Sequence, residues 1–162
     1  MSAPRISAVI PVFNEEGNVE ALLRRLRAVE GSLGLDLEIV FVDDGSRDRT
    51  VEVLRRLWHD DRRFRVVRLS RNFGHQTAIT AGMEHASGDA VVVMDADGED
   101  RPQDIPALLE AFGRNGERKV IFAARAKRLE KPVFRMLYHA YRWIHRAITG
   151  AAVRVGNFSV VP

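Results

Sequence analysis

Short runs of consecutive apolar residues alternate along this chain with stretches whose apolar positions recur every three to four residues. Ile6 to Val12 is the first such run, interrupted by Pro11 and followed by Asn14, and Val19 to Val29 continues at helical spacing. The pattern repeats as strand Leu37 to Val42 with helix Asp48 to Trp58, and strand Phe64 to Leu69 with helix Gln76 to His85. A fourth round joins strand Ala90 to Met94 to a helix starting near Pro102, where proline is tolerated in a first turn. Val120 to Ala124 reads as a fifth strand before a long helical pattern from Pro132 to Ile148.

Strands as continuously apolar as EIVFV and AVVVM suit a sheet covered on both faces. The alternation predicts an α/β fold with a mostly parallel central sheet, right-handed connections and a ligand crevice at the carboxyl ends of the strands. The polar clusters N-E-E, D-D-G-S and D-A-D all fall at those ends. The final Val160-Val161-Pro162 breaks off within an apparent strand, so a single domain over 1–162, cut short at its C-terminal end, is the expected organisation.

Composition adds limits. With 162 residues, 46% of them hydrophobic, the chain is long enough for one core. It contains no cysteine, so any metal is held by oxygen or imidazole. Its 25 basic and 22 acidic residues nearly balance, but acids gather at 43–48 and 95–104 and bases at 125–146. No apolar run approaches the roughly 18 residues of a spanning helix, so a soluble or peripheral segment is expected. The absence of H-E-x-x-H, G-x-S-x-G and Walker lysine patterns argues against zinc hydrolase, serine hydrolase and P-loop chemistry.

Each polar cluster has a structural and a chemical reading. Pro11, Phe13, Asn14 and Glu15 form a turn suited to lie beside a flat base, while Asn14 is equally a good helix N-cap. Asp43 and Asp44 are adjacent acids at a strand end, which repel unless a donor or cation neutralises them. In MDADGED, alternation along extended backbone aims Asp95 and Asp97 the same way, with Glu99 as a third oxygen donor. A few carboxylates beside a diphosphate suit Mg2+ or Mn2+, and the bland reading is an acidic helix cap. His75, in the polar loop Ser70 to Gln76, either touches phosphate or caps the next helix. Arg125, after the fifth strand, is placed to chelate phosphate, whereas Lys127 and Arg128 read equally as solvated surface. Residues 134–148 form a basic amphipathic pattern that fits a membrane interface or packing on its own sheet.

Taken in order, IPVFNEEGNV, IVFVDDGSRDRT, LSRNFGHQTAITAGMEHASGD and VVMDADGEDRPQDIPAL resemble the family 2 glycosyltransferases of GT-A fold. The likeness is to the branch that includes dolichyl-phosphate mannose synthase and bacterial polyprenyl-phosphate glucosyltransferases. The resemblance implies that Pro11 to Glu15 and Asp43, with Asp44, bind the nucleotide. It implies that Asp95 and Asp97 hold metal and diphosphate, and that Arg125 and Arg135 face phosphate. Gly98 and Glu99 stand where that branch often has Leu and Gln, and Asn157 stands where many relatives have Asp, so no general base is expected there.

The implied activity is inverting transfer of a hexose from a UDP- or GDP-linked sugar to a polyprenyl phosphate at the cytoplasmic face of the membrane. The partners expected are the nucleotide-sugar donor, the lipid acceptor and the membrane surface. No nucleic acid is expected, and the sequence is compatible with a homo-oligomer. Transfer to a sugar hydroxyl, as in polysaccharide synthases, and nucleotide-sugar binding without turnover are the alternatives. A phosphoryl-accepting receiver domain also places acids at strand ends, but requires Ser or Thr after the fourth strand and Lys after the fifth, where this chain has Asp95 and Arg125.

Overall fold

The computed structural model describes residues 5–34, 36–114, 119–123 and 158–162. By its contacts the chain divides into Met1–Phe122 with Asn157–Pro162, and Ala123–Gly156; every described element belongs to the first unit. Its elements run β1 (Arg5–Val12), α1 (Val19–Leu33), β2 (Asp36–Asp43), α2 (Thr50–Asp60), β3 (Phe64–Arg68), α3 (His75–His85) and β4 (Ala90–Val93). A 3-10 turn (Pro102–Asp104), α4 (Ile105–Arg114), β5 (Ile121–Phe122) and β6 (Ser159–Val161) complete it.

The six strands of the described residues form one sheet in the order β3-β2-β1-β4-β6-β5. β1 lies at the centre, parallel to β2 from Arg5↔Asp36 to Val12↔Asp43 and parallel to β4 from Ile6↔Ala90 to Val9↔Val93. Only the first residue of β1 and of β2 is exposed, and all of β4 is buried, which is why these strands are almost wholly apolar. The chain moves outward from β1 through β2 to β3 and then returns to the other side of β1 for β4. A right-handed return connection places α3 on the face opposite α1 and α2. The reversal of direction beside β1 opens a crevice at the carboxyl ends.

Close packing of α3 depends on Gly82. A Cβ added there would lie 2.4 Å from Val9 Cγ1 and 2.9 Å from Val42 Cγ2, so the helix backbone rests directly on β1 and β2. Ala78, one turn earlier, joins Val9, Val40, Val42, Val91 and Val93 in the core on this face. At the amino ends of the strands the buried Glu38 holds three segments together. Its carboxylate accepts from Ser7 Oγ (2.6 Å), Ser87 N (2.8 Å) and Ser87 Oγ, and Arg65 lies 3.3 Å away. Burial alone would raise its pKa, but the bonds from Ser7 and Ser87, helped by Arg65, hold it below the ordinary carboxylate value.

The far edge departs from simple alternation. The expected fifth strand, Val120 to Ala124, is only Ile121–Phe122, and β6 lies between it and β4, antiparallel to both. An antiparallel edge on a parallel sheet satisfies the backbone groups of β4 without another crossover helix. The terminal strand expected around Val160 and Val161 is the piece that does so. No helix of the described residues is long and apolar enough to cross a membrane. The helical pattern 132–148, with Arg125 and Arg135, lies outside the described residues.

Candidate active site

The loops after β1 and β2 are joined through backbone donors. Asn14 adopts a left-handed backbone (φ 58°) and does not cap α1. Its N–H donates to Ser46 Oγ (3.0 Å) and its Oδ1 accepts from Arg47 N (2.9 Å). Glu15 N donates to Thr50 Oγ1 and Glu16 N to Asp48 Oδ2, while Glu16 Oε2 accepts from Arg49 N (2.9 Å). The capping expected of Asn14 is thus replaced by a bridge to the neighbouring strand's loop, a partner 33 residues away. Arg49, chiefly through its backbone N–H, lowers the pKa of Glu16. Burial acts to raise that of Asp48, but the hydroxyl and N–H of Thr50 outweigh it and lower it. The bond from Thr50 N to Asp48 Oδ1 also explains why α2 starts at Thr50 and not at Asp48.

The adjacent acids at the end of β2 separate their roles. Asp43 is fully buried, its Oδ1 accepting from Ser46 N (3.1 Å) and its Oδ2 lying 3.5 Å from Arg68 Nε. Asp44, 3% exposed, points the other way and accepts from Phe73 N (2.8 Å) and Gly74 N (3.0 Å). Backbone and guanidinium donors therefore supply the neutralisation that two neighbouring carboxylates require. Gly45 makes this contact close: at φ 71°, a Cβ there would fall 2.5 Å from Arg71 C and 2.6 Å from Asn72 N. Asp44 thereby holds the β3–α3 loop, with Asn72, Gly74 and His75, against the crevice.

β4 ends at Val93 and the backbone then turns within MDADGED, so the extended alternation expected to aim Asp95 and Asp97 the same way is replaced by a turn closed by side-chain acceptors. Asp95 N donates to Asp100 Oδ2 (2.8 Å), and Glu99 N donates to Asp97 Oδ1 (2.9 Å) across Gly98, whose φ is 85°. Asp95 is half-buried with its Oδ1 3.3 Å from His75 Nε2, while Asp97 and Glu99 are exposed. Asp100 is 6% exposed and was not singled out in the sequence; an acid closing a tight turn on its own strand leaves no distinctive spacing. The same holds for Asn72, whose place on the crevice follows only from the Asp44 clamp.

These segments enclose a cleft of about 420 Å3, within the usual span of small-molecule sites, about 300 to 1,000 Å3. Pro11, Val12, Phe13 and Glu15 line it from the end of β1 and the loop after it, Asp44 from just after β2, Asn72, Gly74 and His75 from the loop into α3, and Asp95 and Asp97 from the turn after β4. Asn14, Asp43 and Glu99 stand outside its walls. An exposed aromatic ring, Phe13, thus shares one concavity with two carboxylates that are neighbours in the same turn. Among the described residues no group of three or more His, Asp or Glu converges as a metal cage. Asp95 and Asp97 are nevertheless the hard oxygen donors that an open magnesium or manganese site takes, such a site drawing its remaining oxygens from phosphate and water.

Residues 7–160 match the family model described as glycosyl transferase family 2. The chain is 43% identical over 129 residues to the uncharacterized glycosyltransferase YkcC of Bacillus subtilis (strain 168), covering 80% of this chain and 39% of that protein. It is 49% identical over 106 residues to the undecaprenyl-phosphate 4-deoxy-4-formamido-L-arabinose transferase of Pseudomonas paraeruginosa (strain DSM 24068 / PA7), covering 65% of this chain and 31% of that one. The chain therefore spans well under half the length of these relatives. Among solved structures it superposes on the mannosyltransferase PcManGT from Pyrobaculum calidifontis, in complex with GDP-Man and Mn2+, with a TM-score of 0.69. That match has 22% identity and covers 99% of this chain and 45% of the other, and it shows a shared GT-A fold. With the family's pattern matched from β1 to β6 and the acidic cleft at the carboxyl ends of its sheet, the chain belongs to the family 2 glycosyltransferases.

Proposed function

We propose that this chain is the donor-binding catalytic part of an enzyme that moves a hexose from a UDP- or GDP-linked sugar to a polyprenyl phosphate, with inversion, at the cytoplasmic face of the membrane. The observation that carries the reading is the single cleft holding Phe13 and Pro11, the loop clamped by Asp44, and Asp95 with Asp97. Phe13 and Pro11 offer a flat apolar surface to the base, and the Asp44-held loop presents Asn72, Gly74 and His75 towards the rest of the donor. Asp95 and Asp97 would hold Mg2+ or Mn2+, which when bound supplies positive charge against the charge developing on the departing nucleoside diphosphate. His75, beside Asp95, keeps that carboxylate oriented.

A phosphate monoester acceptor is largely ionised near neutrality, its second pKa being about 6. Its oxygen attacks the anomeric carbon as the bond to the nucleoside diphosphate breaks, and no general base is needed. Arg125 and Arg135 would position that anionic acceptor. The acceptor class is supported by relatives named as undecaprenyl-phosphate transferases. Their named sugar makes a nucleotide-linked 4-deoxy-4-formamido-L-arabinose a further donor to assay. The short span relative to those proteins favours one other reading, in which this chain alone binds nucleotide sugar and the remainder supplies the acceptor side.

The test incubates the full-length protein with labelled donor, Mn2+ and undecaprenyl phosphate and measures label extracted with the lipid. Asp97→Ala is expected to reduce incorporation by on the order of a hundredfold. Incorporation that survives this change refutes the role of Asp97. Donor binding by calorimetry without lipid labelling overturns the acceptor assignment.

A further inference from the structure

A second concavity, of about 580 Å3, runs along the free edge of β3, away from the donor cleft. Its floor is the whole of β3, Phe64 to Arg68; Val51, Arg55 and Trp58 of α2 form one wall, and His85, the last residue of α3, contributes to the other. Among the described residues β3 ends the strand order and pairs only with β2. Leu69 N donates inward to Asp43 O, so by the alternation of an extended strand the N–H groups of Arg68 and Val66 face outward. Val66 and Trp58 are exposed at 38% and 40%, an apolar strip beside backbone that has no strand partner among the described residues.

The charge on this edge is of one sign. Among the described residues Arg55, Arg62, Arg65 and Arg68 line the groove, and no Asp or Glu does. Arg65 and Arg68 are engaged with Glu38 at 3.3 Å and Asp43 at 3.5 Å. Arg62 stacks over the Trp58 ring at 4.6 Å. Neither Arg62 nor Arg55 has a carboxylate within ion-pair distance among the described residues. Arginines on an open edge repel a second copy of the same strand, which is one way proteins block self-association. The same charges admit an acidic strand.

We propose that the β3 edge is a docking site for an extended acidic segment of another protein, which adds to the sheet as a seventh strand. Its backbone would pair with the outward N–H and C=O groups of Val66 and Arg68. Its carboxylates would reach Arg55 and Arg62, and an apolar side chain would rest between Trp58 and Val66. The site is separate from the donor cleft and does not depend on the reaction proposed above.

The test uses the whole chain and a labelled heptapeptide of alternating glutamate and valine, followed by fluorescence anisotropy and amide hydrogen exchange. Binding should be about tenfold tighter than for the same peptide with glutamine in place of glutamate, and should weaken as salt rises to about 0.5 M. The amides of Val66 and Arg68 should gain protection at saturation, and R55E with R62E should weaken binding by on the order of tenfold. The unaltered protein keeps the comparison valid if that variant folds poorly. Equal affinity for the glutamine peptide, no binding, or saturation without protection at Val66 and Arg68 overturns the proposal. Capture by phosphatidylglycerol vesicles without peptide binding overturns it in favour of a lipid surface.

Discussion

Asp44→Asn separates a structural clamp from a mere acidic wall of the cleft. Asp44 is 3% exposed and accepts two backbone N–H groups, from Phe73 at 2.8 Å and from Gly74 at 3.0 Å. An amide of the same shape keeps one acceptor oxygen but turns an NH2 donor towards the other N–H. At least one bond to a charged acceptor is lost, about 1.5–3 kcal/mol, and a poorly solvated N–H is left without an acceptor. The expected loss of stability is therefore about 2–4 kcal/mol, read from urea unfolding at constant m. Because the clamped loop carries Asn72, Gly74 and His75 into the cleft, donor affinity should fall with it. Amide exchange gives the decisive measurement: Phe73 and Gly74 should lose protection selectively, while Val9 and Val40 in the central strands keep theirs. An Asn variant within about 0.5 kcal/mol of the parent, with both amides still protected, would refute the clamp.

Gly82→Ala should cost about 1–3 kcal/mol by overpacking, because the new methyl would meet Val9 Cγ1 at 2.4 Å; adding Val9→Ala should restore part of that loss in a double-mutant cycle. Glu38 predicts an acid limb of stability. Its folded pKa is lowered, so its contribution is present above the unfolded carboxylate value, about 4.3, and is lost as pH falls through the lower folded value. The melting temperature should drop more steeply below about pH 4.5 in the parent than in Glu38→Gln, which should be less stable at neutral pH; parallel pH profiles would contradict the assignment. Removal of divalent cations by a chelator should weaken nucleotide-sugar binding in the parent and change it little in Asp95→Asn with Asp97→Asn, as measured by calorimetry.

Most of the sheet could be read from residue order because parallel strands buried on both faces leave a simple mark. EIVFV and AVVVM are short, β-branched apolar runs that suit strands covered on both faces, and the intervening helical spacing fits crossover helices. The placing of polar clusters at one rim follows from the same topology. The antiparallel far edge could not be read this way, since Ile121–Phe122 and Ser159–Val161 are too short to show which neighbour they pair with. Arg125, singled out by its place after the fifth strand, and Arg135, given its role by resemblance, lie outside the described residues.

Residue order alone was enough for the α/β alternation, the position of the acidic cluster after β4 and the family motifs, because each rests on neighbours within a few positions. Tertiary structure decided which acid does what. Asp43 and Asp44 are adjacent and chemically identical, yet one is buried beside Arg68 and the other holds a loop 29 residues further along the chain. Asn14, suited in isolation to cap a helix, spends its side chain on Arg47 N instead. For Asp44 and Asn14 the deciding partner is a backbone N–H brought close by the tertiary fold, and such donors carry no residue identity that a sequence can display.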